Sequence, residues 1–247
     1  VGDRVVTTGT HGSHAELRTA GEAFCWKIPD GLSIEEAACV PIAFGTAHDA
    51  LFEFGRLQAG ETVLVHAGAS GTGIAAIQLA HQAGANVVAT ASSDERLARL
   101  AEFGLSHPIN YVKSDFETEI RAITGGRGAD VIVDSVGGPN LQKSIRSLAY
   151  RGRCVNFGDA GRDVAASLDI SSMRGNNQSL TGYFLGAELF FGTRAYQMVA
   201  NLLDRVAQGE LKVVIDQVFS LADAEEAHAH IESRHAFGRV VLKPERN

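Results

Sequence analysis

The run Ala67-Gly68-Ala69-Ser70-Gly71-Thr72-Gly73 is built almost entirely of small residues. It follows a strand-like stretch and opens a helix-like one. In that setting the free N–H groups at the helix start and the helix dipole favour an anion, and the missing side chains let a diphosphate come close. Ser70, Gly71, Thr72 and Gly73 are therefore the candidate diphosphate residues.

A second chemical signal lies one strand further on. Sites for NAD place Asp or Glu at the end of the second strand, where the carboxylate binds the ribose hydroxyls. Here that strand ends Ala91-Ser92-Ser93, without an acid. Ser92 and Ser93 leave room for a 2′-phosphate and can donate to it, and Arg96 can add a charge-assisted bond. The expected cofactor is NADP(H). A competing reading gives the ribose to Asp94. Asp94 and Glu95 equally suit a helix N-terminus, and Arg96 equally suits a solvated surface.

The elements that would hold these residues alternate. Strands are expected at Glu61–His66, Asn86–Ala91, Pro108–Tyr111, Ala129–Val136 and Arg153–Phe157. Helices are expected at Ile74–Ala83, Asp94–Phe103, from a Ser114-x-x-Glu117 capping box through Ile123, and at Asn140–Ala149 behind Pro139. Such alternation gives an α/β fold with a doubly wound parallel sheet. The flanks differ. Residues 1–40 are strand- and turn-rich, up to a helix start at Ser33-Ile34-Glu35-Glu36. Residues 187–208 read as one helix, and Val213–Phe219, Ala222–Ser233 and Gly238–Leu242 as strand, helix, strand.

The 247 residues carry a net charge of −7, with 45% hydrophobic and 21% charged residues. That is a globular balance, and it disfavours broad attraction to nucleic acid or an anionic membrane. No apolar run reaches the ~18 residues of a membrane helix. Cys25, Cys39 and Cys154 form no C-x-x-C pair, as expected of reduced thiols in a cytoplasmic protein. The closest histidine pairs, His11/His14 and His228/His230, have no cysteine or carboxylate arranged around them as a metal motif.

Read together, Gly2-Asp3-Arg4-Val5, the glycine-rich run after Leu64-Val65-His66, Asp134-Ser135-Val136-Gly137-Gly138, Asn156-Phe157-Gly158, residues 179–186 (SLTGYFLG) and 237–244 (FGRVVLKP) resemble the quinone oxidoreductases of the medium-chain dehydrogenase/reductase superfamily. The resemblance spans nearly the whole chain. It implies that residues 1–43 are the remainder of a GroES-like domain whose first part precedes Val1. It implies a Rossmann cofactor domain over 44–183, and a segment 184–247 returning to the GroES-like part.

The resemblance also implies roles. Thr46 would approach the nicotinamide. Tyr111 would join Ser92, Ser93 and Arg96 around the 2′-phosphate and adenosine. Ser135, Phe157 and Gly158 would line the strand ends, and Phe184 and Leu185 would flank the nicotinamide. Phe157, Phe184 and Leu185 equally suit a core, and Tyr111 a strand end without ligand. His48 would be a wall residue near the nicotinamide. The alcohol dehydrogenase branch carries a four-cysteine lobe after the GDRV segment and a zinc-ligating cysteine before its Thr-Gly pair. Here there is no such lobe, and Ile42 stands at the cysteine position, where an aliphatic chain cannot ligate zinc.

Without a metal, hydride addition suits an acceptor that spreads the resulting charge, a quinone or an α,β-unsaturated carbonyl. The expected activity is NADPH-dependent hydride transfer to such a small molecule, with no catalytic residue assigned. Rival readings are a zinc-dependent alcohol dehydrogenase, an enoyl-thioester reductase and a non-catalytic NADPH-binding protein. A homodimer is expected, paired through the strand-like SLTGYF segment at the sheet edge.

Overall fold

The computed structural model describes residues 1–9, 11–162 and 168–244. The chain divides into two compact units. One comprises Val1–Thr46, Ser70–Thr72 and Leu185–Asn247; the other comprises Ala47–Ala69 and Gly73–Phe184.

The elements begin with β1 (Val5–Thr7), β2 (Cys25–Lys27), α1 (Ile34–His48) and a π-helical turn at Asp49–Glu53. Then come β3 (Thr62–Val65), α2 (Gly71–Gln82), β4 (Asn86–Ala91), α3 (Asp94–Leu100), β5 (His107–Asn110) and α4 (Phe116–Ile123). They continue with β6 (Ala129–Asp134), α5 (Gly138–Arg146), β7 (Leu148–Asn156), α6 (Ile170–Arg174) and β8 (Ser179–Gly182). The last are α7 (Leu185–Phe191), α8 (Arg194–Ala207), β9 (Ile215–Ser220), α9 (Ala224–Glu232) and β10 (Arg239–Lys243).

The second unit is a six-stranded sheet in the order β5-β4-β3-β6-β7-β8, every adjacent pair parallel. The doubly wound reading is therefore right. Central strands are apolar runs buried on both faces, as a helix-covered parallel sheet requires: Val63, Leu64 and Val65 in β3, Val87 and Val88 in β4, Val131 and Ile132 in β6 are fully buried. Leu64, Val88, Ile109 and Ile132 pack on one side against Phe116 and Ile120 of α4 and Ile145 of α5. The chain winds from β3 out to β5, then returns to place β6 on the other flank of β3. That reversal opens a crevice at the carboxyl ends of β3 and β6, where open sheets of this kind bind ligands.

Several element boundaries differ from expectation, each for a local reason. Helix α2 starts at Gly71, three residues before the expected Ile74. The first N–H groups of a helix need no intrahelical partner, so the glycine run itself supplies the first turn. The capping box at Ser114 does not form. The Ser114 hydroxyl donates to the Asn110 carbonyl, Asp115 takes the N-cap position, and Glu117 is held by Arg146 at 2.9 Å. Strand β7 begins at Leu148, so the expected end of helix α5 at Ala149 belongs to the strand; Leu148 and Ala149 are both buried.

The first unit contains the antiparallel pair β1–β2 and the parallel pair β9–β10. Trp26 of β2 stacks on Tyr196 with centroids 5.1 Å apart, its indole N–H donates to the Tyr196 carbonyl at 2.9 Å, and the Tyr196 hydroxyl donates to the Cys25 carbonyl. A capping box does open α1: the Glu36 N–H donates to Ser33 Oγ and the Ser33 N–H to Glu36 Oε2. Residues 187–208 are not one helix. Gly192 and Thr193 separate α7 from α8, because glycine is a poor helix residue and the β-branched threonine takes the N-cap of the second helix. Among the described residues no helix is long and apolar enough to cross a membrane.

Candidate functional site

In the sheet unit the candidate residues gather at the carboxyl edge. β3 delivers the chain to His66, which is buried, and then to Ala67, whose φ of 50° is a left-handed backbone that lets the chain leave the strand sharply. The Gly68 N–H donates to the Thr90 carbonyl at 2.8 Å, and the Ala67 N–H to Thr90 Oγ1 at 3.3 Å, so the run is moored on β4. Gly73 lies against the backbone of the same turn. A Cβ there would fall 2.4 Å from the Ala67 carbonyl oxygen and 2.7 Å from that of Gly68. Only glycine closes this turn.

Beneath the run lies a buried polar network that sequence reasoning missed. His66 Nδ1 faces Thr90 Oγ1 at 3.2 Å and Nε2 faces Ser144 Oγ at 3.0 Å. The Ser144 hydroxyl donates to Asp134 Oδ2 at 3.0 Å, and Asp134 Oδ1 accepts the N–H groups of Val136 and Gly137 at 2.8 and 3.0 Å. Serine, histidine and aspartate are all present. The serine, however, sits between the other two and is fully buried, so it is no exposed nucleophile. The network ties the ends of β3, β4 and β6 together at the crevice. Its signal in the sequence was a histidine closing an apolar strand and an aspartate closing another.

Burial holds the His66 imidazole below its ordinary pKa, against the opposing pull of Asp134. A histidine with a depressed folded pKa binds its proton more readily in the unfolded chain. Its contribution to stability is complete above the unfolded value near 6.5 and is lost as pH falls toward the folded one. We expect unfolding free energy to decline below that pH with a slope of up to about 1.4 kcal/mol per unit from this group. Denaturant titrations of wild type and His66→Gln between pH 5 and 8 check this; the variant should show the shallower decline.

At the end of β4, Ser93 caps α3 through the Arg96 N–H at 3.4 Å. Arg96 Nη1 donates to Ser92 Oγ at 3.2 Å, while Nη2 is buried and has no hydrogen-bond partner among the described residues. A buried guanidinium donor without an acceptor calls for an anion. Asp94 is engaged otherwise: Asn110 Nδ2 donates to it at 2.7 Å and the Lys113 ammonium contacts its other oxygen. Those bonds hold its carboxyl below the ordinary range, that from Asn110 first.

The remaining candidates divide by environment. Tyr111 follows β5, is 47% exposed, and donates its N–H to the Ala91 carbonyl at the β4 end. Ser135 follows β6, the Phe157 N–H donates to the Asp134 carbonyl, and the Gly158 carbonyl accepts from Asn156 Nδ2. Phe184, after β8, is exposed.

In the other unit, Ser70 and Gly238 form a parallel bridge, and Arg239 lies over Gly71. A Cβ on Gly71 would fall 2.2 Å from Arg239 Cδ. The start of α2 is therefore not bare, but the side chain that covers it is a cation, and its Nε is buried without a partner among the described residues. The Arg239 contact, made across more than 160 positions of sequence, was not legible in the chain. Thr46 is buried near the end of α1, and Leu185 packs its Cδ2 where a Gly45 Cβ would lie, at 3.0 Å. Burial pushes the Cys39 thiol up, with Arg239 opposing.

Among the described residues no three His, Cys, Asp or Glu side chains converge as a metal-ligand set, and position 42 is an isoleucine.

The fold and this edge define a dinucleotide-type α/β protein. Residues 71–232 match the zinc-binding dehydrogenase family. The quinone oxidoreductase of Pseudomonas aeruginosa is 32% identical over 246 residues, covering 99% of this chain and 75% of that protein. A mycobacterial protein solved in complex with NADPH superposes with a TM-score of 0.92 at 33% identity, over 99% of this chain and 75% of that one. An NAD-dependent alcohol dehydrogenase superposes with a TM-score of 0.81 at 35% identity, over 94% and 65%. The chain belongs to the medium-chain dehydrogenase/reductase superfamily of oxidoreductases, in its quinone oxidoreductase branch.

Proposed function

We propose that the protein binds NADPH and reduces a small quinone or α,β-unsaturated carbonyl without a metal. The observation that carries the cofactor is the strand end at Ser92-Ser93, which has no acid and holds a guanidinium with an orphaned buried donor at Arg96. Gly71, Thr72 and Gly73, with Ser70 beside them, would take the diphosphate, and Ser92, Ser93 and Arg96 the 2′-phosphate, with Tyr111 against the adenosine. Ser135, Phe157 and Gly158 would support the middle of the cofactor, and Thr46, Phe184 and Leu185 the nicotinamide. When bound, the reduced nicotinamide supplies hydride to the conjugated acceptor, whose negative charge spreads to oxygen. The chain's own task is to orient the acceptor and exclude water. Kinship with a protein solved with NADPH supports the cofactor, and kinship with quinone oxidoreductases supports the acceptor. A cytoplasmic location and a homodimer formed at the β8 edge complete the reading.

The test is NADPH oxidation followed with a panel of quinones, enones and saturated ketones, and NADP⁺ reduction followed with primary alcohols, before and after exhaustive chelation. Turnover of quinones or enones that survives chelation supports the reading. Chelation-sensitive oxidation of an alcohol would replace it with the zinc enzyme.

Arg239 provides a separate check. A cation over Gly71 would serve the diphosphate, which NADPH and NADH share. Arg239→Ala should weaken both by a similar factor, about tenfold, the loss of one hydrogen bond to a charged group. Titration of each nucleotide by fluorescence measures it.

A further inference from the structure

The sheet order allots the two halves of a dinucleotide. With Arg96, in the first turn of α3 just past β4, taking the 2′-phosphate as proposed, the adenosine half belongs over β4 and β5, and the nicotinamide half extends across the crevice toward β6, β7 and β8. At the carboxyl end of β7 and β8 stands a polar cluster that the cofactor reading does not use. Tyr183, the residue after β8, donates its N–H to the Asn156 carbonyl at the end of β7. Its hydroxyl donates to Asp49 Oδ2 at 3.0 Å, and Asp49 Oδ1 lies 3.3 Å from His48 Nδ1.

Asp49 is fully buried, whereas the His48 side chain is 29% exposed, with its ring edge-on to Phe52 at 5.0 Å. Carboxylates are seldom buried without a task or a partner. The pair is also set on irregular backbone. The Phe54 N–H reaches back five residues to the Asp49 carbonyl, a π-helical turn, which in proteins occurs frequently at functional sites. Among the described residues His48 Nε2 has no hydrogen-bond partner. The result is an imidazole held at one nitrogen by a buried carboxylate, which Tyr183 holds in turn, on a side chain that stays partly exposed.

We infer that His48 is the acid that completes the reduction of an enone, with Asp49 and Tyr183 as its positioning residues; this rests on the hydride-transfer reading above. The acceptor that has gained hydride at its β-carbon is an enolate. Its α-carbon forms a C–H bond with the proton on Nε2 of the His48 imidazolium. The N–H electron pair stays on the ring, leaving neutral imidazole that keeps its proton on Nδ1, hydrogen-bonded to the Asp49 carboxylate, and water returns one proton to Nε2. The nicotinamide is oxidised, the alkene reduced, and one proton is drawn from solvent per turnover.

Two measurements test this. The first is ¹⁵N NMR of histidine-labelled protein without nucleotide. It should show His48 carrying its proton on Nδ1 in the neutral form, and Asp49→Asn should shift it toward the other tautomer. A His48 that is protonated only on Nε2 would overturn the inference. The second is reduction of an α-substituted cyclic enone with NADPH in D₂O. Wild type should place deuterium at the α-carbon in one configuration. His48→Asn should slow turnover about 10²-fold, as loss of a general acid does, and give both configurations while the β-carbon keeps its single one. A single α-configuration from the variant would mean the proton comes from elsewhere. Absence of any turnover in wild type, with NADPH bound, would instead refute the hydride-transfer reading and this one with it.

Discussion

Arg96→Ala should raise the dissociation constant for NADPH by ~10–100-fold and leave that for NADH within about twofold. The range follows from the ~1.5–3 kcal/mol of a hydrogen bond to a charged group, at about 1.4 kcal/mol per decade. The asymmetry follows from position. Arg96 stands in the first turn of α3, just past β4, with one nitrogen on Ser92 and another buried without a partner among the described residues, so in the proposed complex it would serve the one group by which the two nucleotides differ. Ser93 is a less clean probe, because its hydroxyl caps α3 and its loss costs helix stability as well. Calorimetric titration of both nucleotides into wild type and variant measures the effect. A uniform weakening would remove Arg96 from the phosphate.

The second large effect is on folding. Asp134→Ala should destabilise the protein by about 2–5 kcal/mol, from the ~1–3 kcal/mol of each buried donor left unsatisfied. Asp134 is fully buried and accepts from the Val136 and Gly137 N–H groups and from Ser144. Alanine leaves the Val136 and Gly137 N–H groups without an acceptor and space where the carboxylate was, while the Ser144 hydroxyl keeps the Asn140 carbonyl at 3.1 Å. At ~2–4 °C per kcal/mol for a chain of this size, the melting temperature should fall by about 10 °C. Asp134→Asn keeps one acceptor oxygen and should lose clearly less. Calorimetric melts of the three proteins check both statements; a loss from alanine below about 1 kcal/mol would mean the network adds little.

Much of this architecture could be read in the chain. Strand-like runs at 61–66, 86–91 and 129–136, separated by helical spacing, point to a covered parallel sheet, and a glycine run between the first strand and its helix marks the candidate diphosphate residues. Local signals failed where long-range contacts outbid them. Glu117 left its expected cap for Arg146, whereas Glu36 kept the box with Ser33. The π-helical turn at Asp49–Glu53 has no pattern that periodicity can find, so the His48–Asp49 pair stayed hidden although His48 was in view as a wall residue. Arg239 over Gly71 and Ser144 between His66 and Asp134 join positions far apart in sequence, which spacing along one element cannot reveal.

The reading stands or falls on whether this edge takes a dinucleotide bearing a 2′-phosphate. Melting temperature with saturating NADPH and with the same concentration of NADH tests it most directly, since binding to the folded state adds about 2.7 kcal/mol at a hundredfold excess over Kd. A clear rise is expected with NADPH and a much smaller one with NADH. An equal or larger rise with NADH would contradict the reading.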